Sequence, residues 1–236
     1  MRHAVVAGLL FVAAGTAGCD RLPQVAALRN PFQSFESRCA QLPHKPPVVV
    51  AAPIEIVEDD TRSQVDLVAL LDGPAAGHRA LGVTKTRIGH DASLEIKGLK
   101  DPATGRACFR ANVRVELALR PLTVYIAREI AGDPCQRAAI REHEMKHVAV
   151  YAEWLDEAAA ELAQVLPAEF ADGVRHADDG EAAQRALRER LEAFVRAHSE
   201  AAGRDLAARQ RAVDSSEEYA RVAAACGGTG AALPGR

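Results

Sequence analysis

The chain has 236 residues, 48% of them hydrophobic and 26% charged, with a formal net charge of −3. That is enough chain for one globular domain, or one domain with a helical extension. No basic block marks it for nucleic acid, and scarce aromatics (4%) beside abundant alanine lean the composition towards helix.

Arg2 and His3 precede an apolar run, AVVAGLLFVAAG. It is short for a spanning helix and right for the h-region of a signal peptide. The run ends in Thr16-Ala17-Gly18-Cys19, small residues before a cysteine in the manner of a bacterial lipobox. Residues 1–18 are therefore expected to be a lipoprotein signal peptide, with Cys19 lipidated. A signal peptide cut after Gly18 without lipid and an uncleaved anchor are the alternatives. The expected location is the cell envelope, on the periplasmic side, held to a membrane by the lipid. Asp20 hints at the inner membrane by a sorting rule that differs among bacteria, so inner or outer stays open.

Export changes the meaning of the cysteines. Cys39, Cys108, Cys135 and Cys226 remain, an even number in an oxidising compartment. Two disulfides are expected, with three possible connectivities. The pairing expected is Cys108–Cys135, tying a strand to a helix, and Cys39–Cys226, tying the ends of the domain.

Residues 19–46, with prolines at 23, 31, 43 and 46 and no sustained period, read as a tether. A single domain is expected over 47–226, with a β region at 47–130 and a helical region at 133–225, then a tail at 227–236. Val48–Val50 and Ile54–Val57 read as short strands, and 64–71 alternates in part. In 107–120, ACFRANVRVELALR, Phe109, Ala111, Val113, Val115, Leu117 and Leu119 fall on one face and polar residues on the other. That is a half-buried strand. Asp101–Gly105 reads as the turn before it. Pro121 ends it, and Leu122–Ala127 starts another.

Then the period changes from 2 to 3.6. Asp133 reads as an N-cap, Pro134 as the first helical residue and Gln136 as the third position after the cap. Ile140, His143, His147, Tyr151, Leu155, Ala158 and Leu162 then share one face, and Pro167 is expected to stop the helix. A polar connection, 172–180, leads to a second helix from Glu181 to about Val213. A short third helix is expected from Ser216 to Ala225.

The first of these helices carries His143-Glu144-x-x-His147. Residues four apart share a helix face, so both imidazoles can reach one metal ion, and the glutamate lies about 100° round. A catalytic zinc keeps three protein ligands and an open position for water. His143 and His147 would supply two, the metal would acidify water, and Glu144 would take the proton as general base. Two helix histidines paired with neighbouring carboxylates are the reading against which zinc is weighed. The motif does not continue to a third histidine, because position 150 is Val and position 153 is Glu, off the metal face. If the second helix packs antiparallel with Val165 opposite Glu181, Ser199 comes opposite His147, and the adjacent His198 is the expected third ligand. His78, His90 and His176 are the remaining histidine candidates. Tyr125, Tyr151 and Tyr219 are the tyrosines that could donate to a developing oxyanion. An extended peptide could pair with the 107–120 or the 122–128 strand.

The run from about 45 to 166, above all TVYIAREIAGDPC followed by EHEMKHV, resembles the family of predicted secreted bacterial zinc-dependent proteases. The resemblance implies an α+β, zincin-like fold: a mostly antiparallel sheet, then the long helix with His143, Glu144 and His147, then a C-terminal helical hairpin. It also implies a peptidase. Members of that family carry a Tyr, a His-Gly pair and a Gly-Ala-rich end near the C-terminus; here stand Tyr219, Cys226-Gly227 and Thr229-Gly230-Ala231. Cys226 is then either a zinc thiolate or a disulfide partner, and the disulfide gives Cys39 its mate. The expected function is a membrane-anchored zinc metallopeptidase acting on peptides or protein tails in the envelope. The alternative is a non-catalytic envelope lipoprotein, an interaction module with a structural or vestigial zinc site.

Overall fold

The computed structural model describes residues 33–71, 79–170 and 173–227. The expectations for residues 1–32, including lipidation at Cys19, and for His78 and the tail beyond Gly227 lie outside the described residues. Among the described residues no helix is long and apolar enough to cross a membrane.

The alternating stretch forms strand β5 (Ala107–Leu119) and becomes the centre of the larger sheet. On one side it pairs antiparallel with β4 (Ile88–Lys100) along its whole length. On the other it pairs with β1 (Val48–Ala51), parallel, and with β7 (Arg175–Ala177), antiparallel. The turn between β4 and β5 is Asp101–Gly105, as its residues imply. Gly105 takes φ 78°, a conformation that suits glycine, and its N–H donates to the Asp101 carbonyl at 2.8 Å. Pro121 turns the chain out of this sheet into β6 (Leu122–Ile126). That strand is the middle of a second sheet, between β2 (Ile56–Asp59), parallel, and β3 (Gly82–Lys85), antiparallel.

Both sheets are thus mixed; antiparallel pairing prevails, as expected, but two parallel pairs accompany it. The long excursions from β1 to β5 and from β2 to β6 leave room for parallel pairing, which a two-residue hairpin forbids. The 64–71 segment is a short helix, α2 (Gln64–Val68), and no strand. Ser63 accepts from the Asp66 amide while the Asp66 carboxylate accepts from the Ser63 amide, a capping box that outweighs the partial alternation.

Asp133 caps α3 (Pro134–Phe170) through the Gln136 amide at 3.0 Å, with Pro134 at the first position. Pro167 does not stop it. The ring removes one hydrogen bond near the end of the helix, while Leu166 and Phe170, four apart on one face, are buried at 0% and 3% exposure. Burying a phenylalanine is worth about 1.5–3 kcal/mol, comparable with the roughly 3 kcal/mol cost of the proline. The Arg190 guanidinium, 5.6 Å over the Phe170 ring and paired to Glu169, pins the same turn.

Helix α4 (Gly180–Val213) starts from an Asp179 cap and returns antiparallel along α3; α5 (Ser216–Ala224) follows a sharp corner at Asp214-Ser215. The main core lies between the inward face of β5 and the two long helices, with Trp154, Leu155, Leu162, Leu191 and Val195 at its centre. A second core, built from β3, β6, Leu67 and Ile140, lies under the first turns of α3.

The four cysteines do form two disulfides, but with a different pairing: Cys39–Cys108 and Cys135–Cys226. The end of the expected tether is part of the fold. Helix α1 (Phe35–Ala40) packs Cys39 and Leu42 beside Cys108 at the start of β5. The α4–α5 corner swings Cys226 back over the first turn of α3, which carries Cys135. The Cα–Cα separations are 6.0 and 5.9 Å, within bridging range.

Candidate metal centre

His143 and Glu144 are each 4% exposed, on the face of α3 that looks at β3 and the α4–α5 corner. His147 lies one turn on, its ring 5.0 Å from that of His143 and nearly perpendicular to it. Both Nε2 atoms face one oxygen. Asp214 Oδ1 is 3.4 Å from His143 Nε2 and 3.3 Å from His147 Nε2. These three donors lie within 4.8 Å of one another and form a group able to hold a metal ion.

The opposite ring nitrogens are held from behind. Gln210 Nε2 donates to the His147 carbonyl at 3.2 Å, so Gln210 Oε1 must be the atom 2.6 Å from His147 Nδ1. An acceptor at Nδ1 requires the proton there, which leaves the lone pair on Nε2. His143 Nδ1 likewise faces Glu218 Oε1 at 3.3 Å. With both neutral rings protonated at Nδ1, two lone pairs and a carboxylate oxygen converge on one point. Three acceptors so placed repel unless a proton or a metal cation lies among them, and orientation of a metal-binding histidine through its second nitrogen is the usual device. The residues present therefore fit a divalent metal.

Protons can fill the same gap in place of the ion, with His143 and His147 then donating from Nε2 to Asp214. Burial would raise the Asp214 carboxyl, but hydrogen bonds from His143 and His147 hold it well below the usual range. Burial would lower the His147 imidazole, yet Asp214, Glu144 and Gln210 together raise it. Glu218, chiefly through its hydrogen bond from Arg221 and also through Lys146, is pushed down to about 2. Glu144 goes the other way: burial raises its carboxyl, against the pull of His147, His143 and the Thr84 hydroxyl.

Glu144 is placed by β3. Thr84 Oγ1 donates to Glu144 Oε2 at 2.8 Å. Gly82 stands where any side chain would collide, since a Cβ there would lie 2.4 Å from Glu144 Oε1. Among the described residues β3 pairs within its sheet with β6 alone, and with Gln210, Asp214 and Tyr219 it lines a cleft of about 300 Å³ that opens on the histidines.

His198 is not at this centre. It lines a separate hollow with Trp154, Glu157 and Ala202. The hairpin register explains the correction: Gln210 bonds His147 and the Trp154 indole donates to the Ala202 carbonyl. The partner of His147 is thus eleven residues beyond Ser199, because α3 runs on past Pro167 and the first turns of α4 pack on the β sheet. His90 faces Glu192 at 3.5 Å, and His176 faces Glu36 at 3.7 Å beside Cys39, whose sulfur is engaged in a disulfide. Cys226 is a disulfide sulfur and no thiolate ligand. Tyr219 donates to Asp214 at 2.9 Å and Tyr151 lines the cleft, whereas Tyr125 packs its ring 5.2 Å under Arg62. The expected substrate strands are both interior among the described residues, for β5 and β6 are each paired on two sides. Asp214, Gln210, Glu218, Gly82 and Thr84 escaped the sequence reading. One signal for the corner existed: Ser215-x-x-Glu218 is a capping-box pattern that starts a helix directly after Asp214.

No protein family, curated protein or solved structure matches this chain. The reading of the site rests on its own geometry.

Proposed function

We propose that the protein is a zinc-dependent metallopeptidase of the cell envelope, tethered through Cys19, zincin-like in its catalytic half, and similar in kind to the predicted secreted zinc-dependent proteases. The observation that carries this is the convergence of His143 Nε2, His147 Nε2 and Asp214 Oδ1, with each imidazole held through its other nitrogen. These three side chains would hold the ion. Three donors leave a position open, whereas a structural zinc is closed by four, and this favours catalysis over the alternative of a structural or vestigial site in an interaction module.

When bound, zinc supplies a Lewis acid that polarises a carbonyl and brings water towards ionisation at neutral pH. The chain does the rest. Glu144, its proton affinity raised by burial, takes the proton from the attacking water and hands it to the leaving amine. Thr84 holds the carboxylate in place. The free edge of β3 receives an extended peptide by main-chain pairing. Tyr219, whose hydroxyl donates to Asp214 and which lines the cleft, would steady that carboxylate.

The test is metal analysis of purified protein together with peptide hydrolysis, for the wild type and Glu144→Ala. One zinc per chain in both, with cleavage lost in the variant, is the expected result. Zinc in both with no hydrolysis of a broad peptide library would leave the interaction module as the reading.

A further inference from the structure

The cleft is more cationic than the acidic chain around it. Its ionisable lining, histidines aside, comprises Glu144 and Asp214, both part of the centre, and three cations: Arg79, Lys85 and Arg211. Lys85 is engaged, its ammonium donating to the Leu70 carbonyl at 2.6 Å. Nearby arginines are engaged too: Arg141 forks onto Glu58, and Arg221 onto Glu218 and Glu142. Arg79 and Arg211 are exposed, and among the described residues neither makes a hydrogen bond or an ion pair. They come from opposite walls. Arg79 precedes Gly82, the residue against Glu144, by three positions. Arg211 follows Gln210, which holds His147, and precedes Asp214 by three.

We infer that Arg79 and Arg211 form a carboxylate-recognition element of the cleft, selecting peptides that carry a negative charge one or two residues from the bond presented to the centre. This rests on the peptidase reading. Three positions along the chain separate each arginine from the centre: Arg79–Leu81 lead into β3 at Gly82, and Arg211–Val213 close α4 before Asp214, about 4.5 Å of helix rise. One to two residues of extended substrate span about 3–7 Å, a range that includes the rise from Arg211 to Asp214. Guanidinium is the cation suited to a planar, two-pronged carboxylate, and it stays charged at every relevant pH. The carboxylate has two sources, an aspartate or glutamate side chain or the free C-terminus.

The experiment uses three hexapeptides capped at the N-terminus with an uncharged BODIPY dye: one with a central Glu and an amidated end, its Gln counterpart with an amidated end, and that Gln peptide with a free C-terminus. Binding is read by anisotropy at low salt on the metal-free chain and on the zinc-loaded Glu144→Gln chain, and cleavage is read separately on the zinc-loaded wild type. The expected result is that one of the two carboxylate peptides binds about 10- to 100-fold tighter than the neutral one. The peptide preferred names the source. Arg79→Gln and Arg211→Gln each reduce the preference, the double variant abolishes it, and 0.5 M salt weakens it, with unchanged circular dichroism throughout. Equal binding of all three peptides, or a preference that survives the double variant, overturns the inference. Preference without cleavage supports the recognition element and counts against the peptidase; cleavage without preference does the reverse.

Discussion

Gly82→Ala probes the Glu144 carboxylate from behind. The added methyl would lie 2.4 Å from Glu144 Oε1, 2.6 Å from Ile140 Cγ2 and 2.8 Å from Glu144 Cγ. Ordinary carbon contacts begin at about 3.5 Å, so the carboxylate must withdraw by about 1 Å and Ile140 by nearly as much. The strand cannot easily retreat instead, because Gly82 is in register with Ile126 and Thr84 with Val124 on β6. Overpacking of this kind costs about 1–3 kcal/mol, which in a chain of this size lowers Tm by roughly 2–10 °C. A catalytic group displaced by 1 Å costs about 100-fold in rate. Neither histidine nor Asp214 touches Gly82, so zinc affinity should hold within a few-fold. The assays are thermal unfolding, chelator competition for zinc, and turnover of a cleaved peptide. A variant with wild-type Tm and wild-type turnover would refute the close approach of β3 to Glu144. One that lost zinc as readily as Asp214→Asn would show that the whole centre, and not the carboxylate alone, depends on this contact.

Asp214→Asn should weaken zinc binding by more than about 100-fold and Glu218→Gln or Gln210→Leu by about 10- to 100-fold, with His198→Ala near unity; zinc release from His198→Ala alone, measured by chelator competition, would reverse the assignment of the third ligand. Each disulfide closes a long loop, with partners 69 and 91 residues apart, so replacing either pair by serines should cost about 2–5 kcal/mol in denaturant unfolding. Zinc affinity should fall for the Cys135/Cys226 pair and not for the Cys39/Cys108 pair. Glu58 is held below its ordinary pKa of 4.5 chiefly by its hydrogen bond from Arg141, so the stability it adds is full above that value and is lost as pH falls through the lower, folded one. Glu58→Gln should therefore cost under about 1 kcal/mol at pH 7 and nothing once pH has dropped below the folded pKa; a difference that grew in acid would show the sign to be wrong.

What was legible in the sequence was what short-range periodicity controls. The alternation of 107–119 placed β5 to within a residue, and the cap at Asp133 with the 3.6-residue stripe placed α3 and turned His143 and His147 inward. What failed depended on contacts far apart in sequence. Strand β4 has apolar residues such as Leu94 and Ile96 but is half-exposed along its length, so its pattern is weak until β5 lies beside it. The mixed sheets, the tie of α1 to β5 and the disulfide pairing all depend on which segments meet. The proline rule was overridden by the burial of Leu166 and Phe170 beyond it.

The third ligand was lost to the same cause, compounded by length. Placing His198 required the register of a hairpin of two helices, each more than thirty residues long, from a guess about one turn at its end. An error in where α3 stops passes undiminished along the pair, and eleven residues of slip move the position opposite His147 from Ser199 to Gln210, one turn before the corner at Asp214. The fold has to solve the same problem. His143, Glu144 and His147 are set by one helix and need nothing distant, but Asp214, Glu218 and Tyr219 arrive from more than sixty residues away on a corner and a nine-residue helix. So short a helix has little stability of its own. The chain fastens it covalently, with Cys135 eight residues before His143 and Cys226 seven after Tyr219. The ionic contacts of Glu218 with Lys146 and Arg221, and of Arg221 with Glu142, close the remaining freedom between α5 and α3. The local half of the centre is thus encoded by spacing, and the distant half by a crosslink and a charge cluster placed around it.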